Sequence, residues 1–221
     1  MTEAARPRLA AGRDADVFDL GDGTVLRRYR RRPVPAFEVE VMLYARACGF
    51  PAPEVISHEG PDLVLERVDG PTMQRTLEAD PSTLDTHAAA LADLHHRLHG
   101  LVAPDWLPQR ADGDRVLHLD LHPANVILSP KGPVVIDWAN AGRGPAGLDP
   151  ALAIAIFASA RANADDTERR YIDEFIRAFA SRFDRGELEA WLPHALEVRA
   201  ADRNVTDPER RALEGFRLSI E

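Results

Sequence analysis

Two carboxylates and an amide stand at the ends of short apolar runs in HLDLHPANVILSPKGPVVIDW, residues 118–138. Asp120 follows the run Val116–Leu119, Asn125 precedes Val126–Leu128, and Asp137 closes Val134–Ile136, with Pro130–Gly132 as a turn. An apolar strand that stops at an acid is costly to build unless the acid is solvated, hydrogen-bonded or bound to a cation. In-line phosphoryl transfer asks for the same groups: a carboxylate to orient an attacking hydroxyl, and oxygen ligands that hold Mg²⁺ against phosphates. His-x-Asp-x-x-x-x-Asn followed by a strand ending in Asp supplies them, with Asp120 accepting the proton and Asn125 and Asp137 holding the metal.

Other chemistries fit the residue types less well. His95, His96 and His99 share a helical stretch, but His96 points off the leucine stripe and no third ligand follows at a metal-site spacing, so an ordinary helix face is the better reading. His118, Asp120 and His122 alternate as strand ligands would until Pro123 breaks the pattern. No Gly-x-Ser-x-Gly elbow accompanies the histidines, which argues against a Ser-His-Asp hydrolase. Within the basic run 27–32, Arg30–Arg32 read as a solvated strand edge. Arg27 differs, because it continues the strand positions Val25 and Leu26 and shares a face with Val25.

The elements that must position these groups are legible from periodicity. RLAAG, ADVFDLG and TVLRRYR, with Gly21-Asp22-Gly23 as a turn, predict three antiparallel strands. Residues 36–48 predict a helix carrying Phe37, Val41, Met42 and Ala45 on one face, with Glu38 beside that face and Glu40 about 200° away from Glu38. Val55–Ile56 and Leu63–Val68 predict two more strands, and Gly70-Pro71 marks a boundary between lobes 1–69 and 70–221. Leu91, Leu94, Leu98 and Leu101 predict an amphipathic helix over 84–101. Asp149-Pro150 reads as a helix cap and first turn, with further helices from Asp166, Arg185 and Thr206. Strands first and helices later predict an α+β chain.

HLDLHPANVIL together with VIDWANAGRGPAGLDPALA resembles the aminoglycoside phosphotransferase family, the choline kinase-like group with the two-lobed protein-kinase-like fold. The likeness extends over residues 8–160. It implies a catalytic loop at His118–Asn125, with Ile-Asp-Trp standing where protein kinases have Asp-Phe-Gly. It also implies ATP and Mg²⁺ as cofactors and a small-molecule hydroxyl as acceptor. TVLRRYR resembles the strand that normally brings a lysine to the phosphates, and Arg27 falls at that position. EVEVMLYARACGFPAPEV resembles the helix of the pairing glutamate, which counting back from Pro51 assigns to Glu38. LVLERVDG resembles the adenine linker, so the backbone of Glu66 and Val68 faces the base. LAAGRDADVF resembles the hairpin over the phosphates, with Gly12 as its one glycine. His118 and Asp149 brace the loop and a helix start.

The chain is 221 residues long and 45% hydrophobic, enough for a core of its own. A net charge of −9 with scattered basic residues argues against a nucleic-acid binder. A single cysteine, Cys48, no amino-terminal signal pattern and no membrane-length apolar run predict a cytoplasmic protein. The acidic cluster Asp165, Asp166, Glu168, Asp173 and Glu174 reads first as a solvated helix face and second as a hint of a cationic acceptor. The only lysine is Lys131. Arginine at position 27 and the sparse glycines of the hairpin define the rival reading, a catalytically weak nucleotide-binding sensor or scaffold. Protein-kinase activity is disfavoured, because no long segment ending in Ala-Pro-Glu follows Asp137.

Overall fold

The computed structural model describes residues 7–12 and 14–218; the ends of the two expected lobes, 1–6 and 219–221, and the hairpin residue Arg13 lie outside the described residues. The first element group is an antiparallel sheet of five strands: β1 (Arg8–Ala11), β2 (Ala15–Asp19), β3 (Thr24–Tyr29), β4 (Val55–Glu59) and β5 (Asp62–Glu66), in the order β1-β2-β3-β5-β4. Helix α1 (Ala36–Ala47) packs on it through Val39, Val41, Met42 and Ala45, all buried. Glu38 is buried with them and Glu40 is exposed, as the helical repeat requires.

Strand β5 ends two residues before the predicted limit. Arg67 turns its guanidinium to Asp19 and Asp69, and the chain leaves the sheet through Gly70 at φ 147°. A Cβ at Gly70 would lie 2.2 Å from the Leu128 carbonyl oxygen, so only glycine lets the linker pass this close. The linker is then stitched down by Leu128 N–H donating to Pro71 O at 2.9 Å.

A short helix that periodicity does not reveal follows, α2 (Met73–Ala79), capped by the Thr72 hydroxyl. Helix α3 (Leu84–His99) buries Leu91, Leu94 and Leu98 completely. Two short antiparallel pairs carry the chemistry-bearing loop: β6 (Arg115–Leu117) pairs with β9 (Gly142–Gly144), and β7 (Val126–Ser129) pairs with β8 (Gly132–Val135). Helix α4 (Leu148–Ala160) is apolar on nearly every side and runs through the middle of the helical part, flanked by α5 (Asp166–Ala180), α6 (Arg185–Ala201) and α7 (Asp207–Glu214). One hydrophobic core is continuous from Met42 and Leu63 through Leu91 and Trp138 to Ile154 and Phe179.

The Asp149 reading needs correction. Helix α4 starts two residues earlier, with Gly147 in the cap position, and the Asp149 carboxylate turns inward, fully buried, instead of capping its own helix. Among the described residues no helix is long and apolar enough to cross a membrane.

Candidate active site

Strand β3 and helix α1 bring together the first group of candidate residues. Arg27 Nη1 donates to Glu38 Oε1 at 2.9 Å, and Arg27 Nη2 donates to Asp137 Oδ1 at 2.6 Å. Tyr29, two positions along the same strand, donates its hydroxyl to the other Glu38 oxygen. Burial pushes the Glu38 carboxyl above the usual carboxylate range, against the pull of Arg27 and the Tyr29 hydrogen bond. For Arg27 the balance goes the other way: burial disfavours its charge, but the Asp137 and Glu38 carboxylates outweigh burial and hold it protonated.

The loop after β6 supplies the second group. Asn125 Nδ2 donates to the Asp120 backbone oxygen at 2.9 Å and to Asp120 Oδ2 at 3.0 Å. His122 Nε2 lies 3.5 Å from Asp120 Oδ1. Burial raises the Asp120 pKa, yet the His122 hydrogen bond and charge, with His118 and Asn125, bring it below the usual aspartate value. The β7–β8 hairpin joins the two groups. Val126 pairs with Val135, and one step further Ile136 N–H donates to Asn125 O at 2.9 Å, so Asn125 and Asp137 emerge from the same end of the hairpin. Asn125 Oδ1 and Asp137 Oδ2 have no partner among the described residues, and two such hard oxygens are the donor type that Mg²⁺ takes.

Backbone strain concentrates here. Leu119 (φ 63°) and Asp137 (φ 66°) are the described non-glycine residues with positive φ. Each such conformation costs on the order of 1–3 kcal/mol and persists only where the surroundings enforce it. For Leu119 the enforcing group is Asp149, whose Oδ1 accepts the Leu119 N–H at 2.7 Å while Oδ2 accepts the His118 N–H at 2.9 Å. His99 Nε2 donates to Oδ2 as well, at 3.1 Å, and His95 Nδ1 stands 3.9 Å away. Burial would raise the Asp149 pKa, but the His99 hydrogen bond and the surrounding histidines hold it well below the carboxylate range. Burial pushes His95 down to about 3. Thus His95 and His99, with Asp149, form one buried cluster that steadies the loop, while His96 faces outward to the Arg182 carbonyl. His118 Nε2 donates to Ile136 O at 3.1 Å, which ties the loop to the strand leading into Asp137.

The remaining candidates lie at or just past strand ends, Gly12 after β1 and Glu66 and Val68 at the end of β5. Glu66 N–H is already donated to Glu54 O at 2.9 Å, whereas the Val68 amide and carbonyl have no partner among the described residues. Gly12 N–H closes its own hairpin by donating to Ala15 O at 2.9 Å. The acidic cluster of α5 takes no part: Asp165 and Glu168 form its capping box, and Asp173 pairs with Arg161. Beside Asp120 opens a cavity of about 380 Å³, lined by Leu119 and Asn140, by α4 and by α6.

The family model described as the phosphotransferase enzyme family matches residues 6–115 and 101–191. The chain belongs to this family. Among solved structures, the gentamicin complex of APH(2'')-IIa is 14% identical with a TM-score of 0.66, over 97% of this chain and 92% of that one. The streptomycin–ATP ternary complex of APH(2'')-IIa is 14% identical with a TM-score of 0.62, over 89% of this chain and 82% of that one. A choline/ethanolamine kinase family protein from Mesorhizobium loti is 17% identical with a TM-score of 0.55, over 96% and 85%. At such identities the likeness establishes the fold, which is α+β and protein-kinase-like. No curated protein sequence matches the chain.

Four residues near the site escaped the sequence reading. Tyr29 was findable, since a residue two places from Arg27 shares its strand face. His122 entered only as a possible zinc ligand, and its position beside Asp120 follows from the turn at Pro123. Arg110 and Arg199 reach the cavity from distant segments, and nothing local announces them.

Proposed function

We propose that this phosphotransferase transfers the γ-phosphate of ATP to a hydroxyl of a small molecule with Mg²⁺ as its metal. The observation that carries the proposal is the joining of two remote groups. Arg27 bridges Glu38 and Asp137, and the β7–β8 hairpin sets Asp137 beside Asn125 and Asp120. On this reading the lobes divide at 69/70, and ATP sits between them with its base against the Glu66 carbonyl and the Val68 amide. The hairpin around Gly12 covers the phosphates. Glu38 orients Arg27 toward the α- and β-phosphates, where its planar fork can hold two oxygens.

Mg²⁺, held by Asn125 and Asp137, would neutralise charge between the β- and γ-phosphates. Asp120 orients the acceptor hydroxyl and takes its proton as the new O–P bond forms; the bond from the γ-phosphorus to the bridging oxygen breaks and ADP leaves. Its lowered pKa keeps Asp120 ionised and able to accept that proton.

Replacing Asp120 by Asn tests the assignment. Turnover of ATP with a competent acceptor should fall by about 10²–10⁴-fold, the range of general-base removal, while Mg·ATP affinity is retained. Wild-type turnover in Asp120→Asn would overturn the role. A second reading, a nucleotide-binding protein with weak catalysis, is favoured by one contact: Arg27 occupies an Asp137 oxygen at 2.6 Å. It expects Mg·ATP binding with equally slow ATP turnover in the wild type and in Asp120→Asn.

A further inference from the structure

The cavity beside Asp120 carries as many guanidinium groups as carboxylates in its lining. Besides Asp120 its lining holds one carboxylate, Asp202, against two guanidinium groups, Arg110 and Arg199. Asp202 is matched, since Arg199 Nη1 lies 3.4 Å from Asp202 Oδ2 while Arg199 Nε donates to Ser159 at 3.3 Å. Arg110 is not. Its Nη2 makes only long hydrogen bonds to the Asn140 and Ala141 carbonyls, 3.3 Å each, and among the described residues no carboxylate lies within ion-pair distance of it. Gly142 leaves the space in which the Arg110 chain lies, since a Cβ there would come within 2.4 Å of Arg110 Cγ, and Arg110 itself is exposed to solvent.

With Asp120 assigned to the hydroxyl and Asp202 to Arg199, one positive charge is left over in the lining. The rest of the lining is mostly aliphatic, Leu119, Leu148, Leu152, Ile156 and Val198, with Asn140 and His194. A polycation would meet one acid without an arginine partner, Asp120, and beside it an arginine without a carboxylate partner. An anion would meet a planar fork of donors that suits a carboxylate or phosphate.

We propose that the acceptor is a hydroxyl compound with an apolar body and an anionic group, the anion held by Arg110. The proposal rests on the phosphotransferase reading of this site and narrows its substrate class. Three probes that share one body test it on the full-length protein with Mg·ATP present: para-hydroxymethylbenzoate, benzene-para-dimethanol and para-aminomethylbenzyl alcohol, which are anionic, neutral and cationic. Binding is read by ligand-observed NMR and transfer by ADP release.

A charge-assisted hydrogen bond to Arg110 predicts that the anion binds at least about tenfold more tightly than the other two. Arg110→Gln should erase the preference, and Arg110→Lys should keep part of it. Thermal unfolding of both variants separates loss of the charge from loss of the fold. Equal binding of the three probes, binding of none, or a preference for the cation overturns the proposal. Phosphorylation of the neutral or cationic probe alone overturns it too, yet leaves the phosphotransferase reading standing. Slow, Asp120-independent ADP release alongside Arg110-dependent binding of the anion does the reverse.

Discussion

Removing the Arg27 guanidinium should destabilise the protein in a way that depends on pH. Glu38 is fully buried and the Arg27 side chain is 13% exposed, so Arg27→Gln strands a carboxylate inside the protein. Breaking one side of a buried pair costs about 3–5 kcal/mol. Two facts favour the lower end: Tyr29 still donates to Glu38, and Asp137, whose side chain is 42% exposed, recovers water. About 3 kcal/mol is therefore expected near neutral pH, and with a urea m-value of about 1–3 kcal/mol/M it moves the midpoint down by at least about 1 M.

The sign with pH follows from Glu38, whose folded pKa is already raised by burial. A raised carboxyl pKa gives stability that is present below the unfolded-state value and lost as pH climbs through the folded value. Without Arg27 that pKa rises further, so the variant should lose most at about pH 8 and recover toward about pH 5 as Glu38 takes up a proton. Urea unfolding at both pH values checks this, with Arg27→Gln/Glu38→Gln as the control that removes both charges and regains most of the loss. A midpoint at about pH 8 shifted by no more than an ordinary surface change, about 0.5 kcal/mol, and indifferent to Glu38→Gln, would refute the reasoning.

Asp137→Ala should abolish the magnesium-dependent part of ATP affinity in calorimetry; an unchanged magnesium increment would remove Asp137 from the metal site. Asp149→Asn turns an amide toward donors that need an acceptor, so about 2–4 kcal/mol of stability should go, together with most turnover. Because the Asp149 pKa is depressed in the folded protein, its contribution is held above the usual aspartate pKa and lost as pH falls below it, and chemical unfolding of Asp149→Asn should lack that acid limb. Gly70→Ala forces a Cβ against the Leu128 carbonyl at a φ that alanine avoids; about 3 kcal/mol, or about 6–12 °C in thermal unfolding, is expected, and an unshifted transition would show that the linker relaxes freely.

What could be read from the chain divides by sequence distance. Asp120, Asn125 and Asp137 were legible because a loop and one hairpin join them, and local turn chemistry fixes such short connections. Glu38 was separable from Glu40 because a helical repeat leaves one buried and the other in water. The second partner of Arg27 was not legible: Asp137 lies 110 residues away, and only tertiary packing brings them to 2.6 Å. Asp149 was misread for a related reason. Asp-Pro is a good local start signal, but two buried amides from a loop some thirty residues earlier compete for its carboxylate and win. Helix α2 has seven residues, too few for its period to register. The cavity beside Asp120 draws Arg110, Leu119 and Arg199 from three separate segments, so its charge could not be anticipated from the acidic stretch of α5, which lies elsewhere.

The contact between Arg27 and Asp137 also bears on how nucleotide and metal would enter. A guanidinium can serve Glu38 and Asp137 at once through two nitrogens, whereas a lysine ammonium is a single point of charge. Arg27 is thus the counter-charge of Asp137 before any ligand arrives. On the proposed reading, phosphates arriving without metal would draw Arg27 away and leave Asp137 facing their negative charge uncompensated. Metal arriving without phosphates would meet an Asp137 oxygen already taken by a permanent cation. Only the pair exchanges one set of ion pairs for another with charge conserved, the phosphates taking Arg27 and the metal taking Asp137. On that reading arginine at this position would favour the Mg·ATP complex over either component.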